Sequence, residues 1–463
     1  MRRAIQAVAL AAMVWRGVGR AQVVQEYLTL PDRSALVAEQ KALVISRGTA
    51  EDGVPSIEVD ATKRFQTVDG FGFALTGGTA ELMMGMPAEK RLALLKELFG
   101  KDGIGVSYVR LSIGASDMNA FVYSYDDLPE GQEDRGLEKF SLGEDLKYVV
   151  PVMQEVERIR PGIAVLGSPW SAPAWMKTNG KVKGGELKPE LYGVYAEYFV
   201  RYLEAMRAKG VVVGAITMQN EPLNPKNTPS LVMSAEQQTV FLRDDLGPAL
   251  RKAGLKTKVV LYDHNCDKPG YAETVLSDAK AAAFADGSGF HLYGGKVAAM
   301  SEVHDRFPRK NLYFTEQMIV DAKGATELKI AAPVSRVVIG AMRNWSRNVL
   351  LWNLAADASF GPHTKDGGCP VCEGAVTIDG EVVTRNLAYW TLAQVSEFVR
   401  PGDVRVGSSE VEGLSDVAFV RRDGKRVLVV ANTSDVAKKF VVKDGGRGFV
   451  AELAAGAAGT FVW

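Results

Sequence analysis

Three cysteines in 463 residues, Cys266, Cys369 and Cys372, are too few for a disulfide scaffold, so this chain must be held by a hydrophobic core. The second cysteine pair of a typical structural zinc site is missing. His363 and Glu373 lie near Cys369-Pro-Val-Cys372, but they do not complete a ligand set, and no metal is expected. Nor does the pair open a helix behind a first strand, as a thioredoxin-like redox motif would. In an exported protein, Cys369 and Cys372 are candidates for a loop-tightening disulfide, and Cys266 for a small buried hydrophobe. An excess of either charge is also absent, with 55 Lys plus Arg against 55 Asp plus Glu. With no basic stripe, nucleic acid and acidic membrane surfaces are poor partners, and an uncharged substrate fits better. No run approaches the roughly 20 apolar residues of a membrane span, so stable insertion is not expected. Low-complexity segments and linkers are missing too, so disorder is not expected.

What is present is an ordinary globular composition, 47% hydrophobic and 24% charged, in a chain long enough for a large core and a smaller second domain. Met1-Arg2-Arg3, the apolar stretch Ala4 to Trp15 and the small residues of Gly19-Arg20-Ala21 read as a secretory signal over residues 1–21. An uncleaved amino-terminal anchor or buried helix is the alternative. Removing these residues takes away Arg2, Arg3, Arg16 and Arg20 and no acid, leaving an exported, mildly acidic mature chain, periplasmic or secreted.

From residue 67 onward, β-rich runs alternate with amphipathic helical patterns, eight of each, as in a parallel sheet with helical crossovers. The strand candidates are Val68 to Thr76, Val106 to Ile113, Ala164 to Pro169, Val212 to Gln219, Lys258 to Tyr262, Gly289 to Tyr293, Asn311 to Thr315 and Asn348 to Leu354. Nearly all are too apolar for a wet face. Helical boundaries are signalled by Pro87 and Gly100 around Ala88 to Phe99, and by a Ser234 capping box and Gly254 around the segment between them. Helical spacing also marks Lys188 to Lys209, Tyr271 to Phe284, Lys296 to Phe307, Pro333 to Trp345 and Asn386 to Val399. Eight repeats predict an α/β fold, a (β/α)8 TIM barrel over residues 67–400. Short alternating runs in 401–463, punctuated by Asp423-Gly424 and Asp444-Gly445-Gly446, predict an attached antiparallel β-sandwich, which residues 22–66 are expected to join.

Glu221 and Glu316 close the fourth and seventh runs, Ala-Ile-Thr-Met-Gln-Asn-Glu-Pro and Asn-Leu-Tyr-Phe-Thr-Glu-Gln. At the carboxyl ends of barrel strands both would face one mouth. Two carboxyl groups about 5 to 5.5 Å apart suit a retaining glycosidase. Glu221 is expected to hold a proton as acid/base, with its pKa raised by burial and a neighbouring charge, and Glu316 to stay ionised as nucleophile. The bland alternative for Glu221 is a surface acid in a loop. Asn220 is placed to donate to a sugar hydroxyl, and Tyr293, in His291-Leu292-Tyr293, to hold Glu316. Asp117 could accept sugar hydroxyls. Arg110 could fix the carboxylates or serve as a structural ion-pair partner. Trp170 and Trp352 are candidate stacking platforms at the rim, whereas Trp175 is equally accounted for by packing beneath its loop.

Val68-Asp69-Gly70-Phe71-Gly72, Tyr108-Val109-Arg110-Leu111-Ser112, Gly167 to Lys177, Gln219-Asn220-Glu221-Pro222, Phe314-Thr315-Glu316-Gln317 and Leu351-Trp352-Asn353-Leu354 together resemble glycoside hydrolase family 30. The resemblance implies a barrel with an attached sandwich, Glu221 as acid/base, Glu316 as nucleophile, retention of configuration and no cofactor. It also implies that Asp117, Trp170, Asn220 and Trp352 hold glucose as in glucosylceramidase-like members. The Gly367 to Gly374 loop is more like microbial members, including β-1,6-glucanases. A carbohydrate or glycolipid is therefore the expected partner. β-Xylosidase or β-fucosidase activity, or a non-catalytic carbohydrate-binding relic, are the competing readings. One departure stands out: Gly77-Gly78 follow Leu75-Thr76, where the family usually carries an acidic or polar pair.

Overall fold

Short apolar runs separated by amphipathic helices have one economical way to cover both faces of a parallel sheet, and the chain takes it by closing the sheet on itself. The computed structural model describes residues 22–321 and 325–463, so the expected secretory segment, residues 1–21, lies outside the described residues. The barrel strands are β1 (Gly70–Leu75), β2 (Tyr108–Ser112), β3 (Ala164–Ser168), β4 (Ala215–Thr217), β5 (Lys258–Cys266), β6 (Ala285–Gly295), β7 (Asn311–Glu316) and β8 (Ser346–Leu351). Each pairs in parallel with the next, and β8 pairs with β1 to close the cylinder. Every strand overlaps an expected run, but β5 continues past its expected end at Tyr262 to Cys266, and β6, expected over Gly289 to Tyr293, extends at both ends to Ala285 and Gly295. Tyr108, Leu166, Ala215, Val260, Tyr313 and Leu350, from six different strands, form one buried cluster that plugs the barrel.

Two helical segments show the boundaries that their local signals mark. Pro87 and Gly100 bound Ala88–Phe99. Ser234 and Gln237 form a reciprocal capping box ahead of Ala235–Val240, which continues through a wide turn, Phe241–Leu246, into Gly247–Lys252. The helix behind β2, Val149–Ile159, begins at Tyr148 with no capping side chain, so its start carries no sequence signal. Among the described residues, no helix is long and apolar enough to cross a membrane.

The carboxyl-terminal strands build a β-sandwich on one side of the barrel. Val23–Thr29 pairs antiparallel with Ala458–Val462. The long strand Ser56–Thr67 pairs antiparallel with Val404–Ser408 over one stretch and parallel with Lys438–Asp444 over another, linking the sheet's two halves. Val24, Ile57, Val406, Leu428, Phe440, Phe449 and Phe461 fill the core between them. The last barrel helix, Leu387–Ser396, is buried at nearly every position and so has no polar face to present, as expected of a helix covered on all sides. Gln394 on it is the polar fastener: its Oε1 accepts from Thr29 Oγ1 at 2.7 Å, and its Nε2 donates to Thr460 Oγ1 at 2.9 Å. Gln394→Ala leaves the Thr29 hydroxyl hydrogen without its acceptor and removes the amide donor to Thr460, whose own hydroxyl still donates to the main-chain oxygen of residue 394. It should lower the unfolding free energy by about 1–3 kcal/mol, measured by urea titration, while activity per folded molecule stays at wild type.

Candidate active site

At the carboxyl end of the barrel the apolar filling gives way to charge. Arg110 on β2 has no exposed side-chain surface, and a guanidinium there must be paired. Its Nη1 donates to Glu316 Oε2 at 2.5 Å, and its Nη2 reaches Asp263 Oδ2 at 2.8 Å, Asn220 Oδ1 at 2.7 Å and Ser168 Oγ at 3.1 Å. Asp263 is the anion at the centre. Its Oδ2 also accepts from Ser168 Oγ at 2.6 Å and Thr217 Oγ1 at 2.8 Å, while Oδ1 faces His291 Nε2 at 3.1 Å and accepts from Thr315 Oγ1 at 2.6 Å. Burial opposes ionisation of Asp263, but the charge of Arg110 and these hydrogen bonds overcome it and hold the carboxyl well below the usual range.

A bulge aims Asp263 inward. Tyr262 and Asp263 both have left-handed backbones, φ 68° and 61°, and the register with β6 slips between Tyr262 and His264. Sequence reasoning ended the strand one residue earlier and missed Asp263. The signal was available, because an acid following the apolar run Val259 to Tyr262 is the pattern that singled out Glu221 and Glu316.

Glu221 also has a left-handed backbone, φ 46°, which a non-glycine residue holds only when its surroundings enforce it. Its N–H donates to Asp263 O at 3.0 Å, and that of Asn220 to Pro169 O at 2.8 Å, so the segment after β4 is tied to both flanking strands. Glu221 Oε1 lies 3.2 Å from His291 Nδ1, and Oε2 accepts from Asn224 Nδ2 at 2.7 Å. Glu316, the last residue of β7, accepts from Tyr293 Oη at Oε1, 3.1 Å away, in addition to Arg110 at Oε2. Oxygens of Glu221 and Glu316 and His291 Nδ1 all lie within 4.8 Å of one another. Among the described residues, these three are the group that could share a metal ion. The guanidinium on Glu316 and the proton between His291 and Glu221 disfavour a resident cation.

That proton follows from the geometry. Asp263 is ionised and can only accept, so the facing Nε2 of His291 carries hydrogen. The Nδ1 to Glu221 contact then needs one proton between the two atoms. Burial opposes a charged imidazole, yet the charge of Glu316 and the hydrogen bonds to Asp263 and Glu221 push His291 up to about 9. Burial likewise opposes ionisation of Glu221, but the hydrogen bond and charge of His291, the charge of His264 and the Asn224 bond bring it down to about 2. Glu316 is raised, by burial first, against the lowering influence of His291 and Arg110 and with the charge of Glu221 adding to the rise. Glu221 is thus lowered where a rise was expected, because the shared proton rests on the imidazole beside it, while Glu316 is raised by its own burial.

The remaining expected residues surround a cavity of about 630 Å³ that Glu221 and Glu316 line together with Asp117, Trp170, Tyr293 and Trp352. Asp117 is buried, with Oδ1 unpartnered, and is pushed up to about 8 by burial and by the charges of Glu316 and Glu221. The Trp170 and Trp352 rings lie 5.3 Å apart, and Arg110 lies over Trp170 at 4.9 Å. Tyr293 is 43% exposed although its hydroxyl is held inside. Asn220 and His291 sit beneath the cavity, outside its lining. Trp175 packs away from it, donating Nε1–H to Asp126 O at 2.9 Å. Cys369 and Cys372 are joined in a disulfide, and both line the cavity; Cys266 is free and buried.

The glycosyl hydrolase family 30 TIM-barrel domain matches residues 68–398, and the family's β-sandwich domain matches residues 402–461. The chain belongs to glycoside hydrolase family 30. It is 37% identical over 409 residues to an endo-1,6-β-D-glucanase of Neurospora crassa, covering 83% of this chain and 84% of that one. It is 30% identical over 432 residues to the lysosomal acid glucosylceramidase of Mus musculus, covering 87% and 82%. A solved endo-β1,6-glucanase superposes with a TM-score of 0.86 at 32% identity, covering 96% of this chain and 99% of that one. This family 30 member is a glycoside hydrolase close to both groups.

The shared proton contributes to the pH dependence of stability. His291 is raised from 6.5 to about 9 on folding, so its contribution is full below pH 6.5 and is lost as pH rises through about 9. Glu221 is lowered from 4.5 to about 2, so its contribution is present above 4.5 and lost as pH falls through about 2. Unfolding free energies measured by urea at a series of pH values should decline on both sides of this window. In His291→Gln both declines should flatten, and an unchanged alkaline slope would refute the assignment.

Proposed function

We propose that this chain is a retaining β-glycosidase that cleaves β-1,6-linked glucan by double displacement. The observation that carries the reading is the pair of carboxylates at the ends of β4 and β7, with oxygens within 4.8 Å of each other. Inverting enzymes need about 6.5–9.5 Å to admit a water between the acids, whereas direct attack needs about 5–5.5 Å. Glu316 is the nucleophile. Arg110 and Tyr293 hold its two oxygens and aim it at the anomeric carbon, while the glycosidic oxygen takes a proton from Glu221 and leaves as an alcohol. The His291 to Glu221 line stores that proton at rest and passes it to the carboxyl when the leaving oxygen arrives. In the second half, Glu221 removes a proton from water, which attacks the same carbon and releases Glu316. Asn220, whose Oδ1 is bound to Arg110, directs its amide hydrogens toward the sugar, and Asp117, Trp170 and Trp352 shape the glycone pocket.

Greater identity to endo-1,6-glucanases than to glucosylceramidases over similar coverage supports the glucan as substrate. The amino-terminal signal pattern and the Cys369–Cys372 disulfide support an oxidising, extracytoplasmic location.

Product analysis against β-1,6-glucan, glucosylceramide, aryl β-glucoside and aryl β-xyloside tests the reading. Glucan oligomers should appear with the β anomer formed first. Dominant xyloside activity, an α first product or no turnover at all would each overturn it. Glu316→Ala should lose at least about 10⁴-fold in kcat. Glu221→Ala should retain cleavage of an activated aryl glucoside and be accelerated by azide with formation of β-glucosyl azide.

A further inference from the structure

The Gly77-Gly78 pair is the motif that the chemistry above leaves unused. It opens the helix Gly77–Gly85 directly behind β1, where Thr76 Oγ1 caps the helix by accepting from Thr79 N–H at 3.1 Å. Neither glycine has a positive φ, so the backbone does not require glycine here. Space does. A Cβ on Gly77 would stand 1.9 Å from Asn119 Nδ2, and one on Gly78 would stand 2.5 Å from Met118 O and 3.1 Å from Pro362 O.

The loop pressed onto these glycines carries Asp117. It is a tight knot: Asn119 Oδ1 accepts from Ser116 N–H at 2.9 Å and Ser116 Oγ at 3.1 Å, and Ser116 Oγ accepts from Met118 N–H at 3.2 Å. Two external bonds seat it. Gly78 N–H donates to Met118 O, and Thr364 N–H donates to Asp117 O, each at 2.9 Å. Asp117 therefore sits between two anchored peptides, with its carboxyl in the cavity and Oδ1 unpartnered.

We propose that Gly77 and Gly78 are positioning residues that act through Asp117, their missing side chains letting the β2 loop drop onto the helix and set that carboxyl against the sugar. The inference rests on the proposed glycosidase reading and deepens it. A Cβ at position 78 meets main chain, which has no rotamer to swing aside, so the peptide beside Asp117 must move. At position 77 it meets the amide end of Asn119, which is buried and already engaged. The same seat also touches Pro362 in the segment after β8, two residues before Thr364, so the segments that follow β1, β2 and β8 meet at one glycine.

A double-mutant cycle separates positioning from plain packing. In the wild-type background, Gly78→Ala should lower kcat/KM on an aryl β-glucoside by about 10- to 100-fold, the scale expected for displacing a binding group by up to an ångström. In an Asp117→Asn background the same substitution should cost less than about 3-fold, because the group it displaces is already impaired. Equal losses in the two backgrounds would overturn the proposal. If Gly78→Ala fails to fold by circular dichroism, Gly77→Ala, which meets only a side chain, is carried through the same cycle with the same criterion. A wild-type chain without turnover sinks the glycosidase reading itself, whereas additive losses in an active wild type sink this inference alone.

Discussion

A guanidinium sealed inside a barrel is the constraint on which this structure depends. Arg110 cannot be left without anions, and Asp263 cannot be buried without donors. The network that satisfies both draws Ser168, Thr217, His291, Thr315 and Glu316 into one layer. Six of the eight strands, β2 to β7, contribute to it. Breaking one member of such a set strands a charge, at a cost of roughly 3–5 kcal/mol. The layer therefore has little freedom to rearrange, and it is rigid where the chemistry needs carboxylates held to a fraction of an ångström.

The same layer decides where protons sit. An ionised Asp263 requires hydrogen on His291 Nε2, and the remaining imidazole nitrogen then shares a proton with Glu221. A carboxyl read by itself would be assigned its proton from burial and from the negative neighbour across the cavity. Burial does act on both acids, raising Glu316, but at Glu221 it is outweighed by a histidine brought in from β6. Two glutamates in similar strand-end positions thus acquire different electrostatics from their partners.

Much of the fold was legible because it is written in short-range pattern. Each barrel strand is an apolar run bounded by polar residues, and the capping box at Ser234 and the glycine after Phe99 mark helix ends in the local sequence. Where the local signal was absent, legibility failed. Val149–Ile159 has no capping residue, and β5 continues beyond Tyr262 through a bulge whose left-handed residues, a tyrosine and an aspartate, give no hint of it. Asp263 is a different case: an acid closing the apolar run Val259 to Tyr262 carried a usable signal and was missed because it lies one residue past the expected strand end. The pocket walls were visible only as individual residues. Their closeness depends on strand ends and loops meeting from β2 through β8.

The amino-acid sequence alone determined the chain's class, the order of its strands and the residue types standing at their ends, because hydrophobic periodicity and turn chemistry act within a few residues. Which atom carries the shared proton, why Asp263 faces inward and why two glycines follow β1 were decided only by the closed barrel. Those properties arise between groups separated by tens to hundreds of residues, and electrostatic and steric forces act on the distance in space that closure creates.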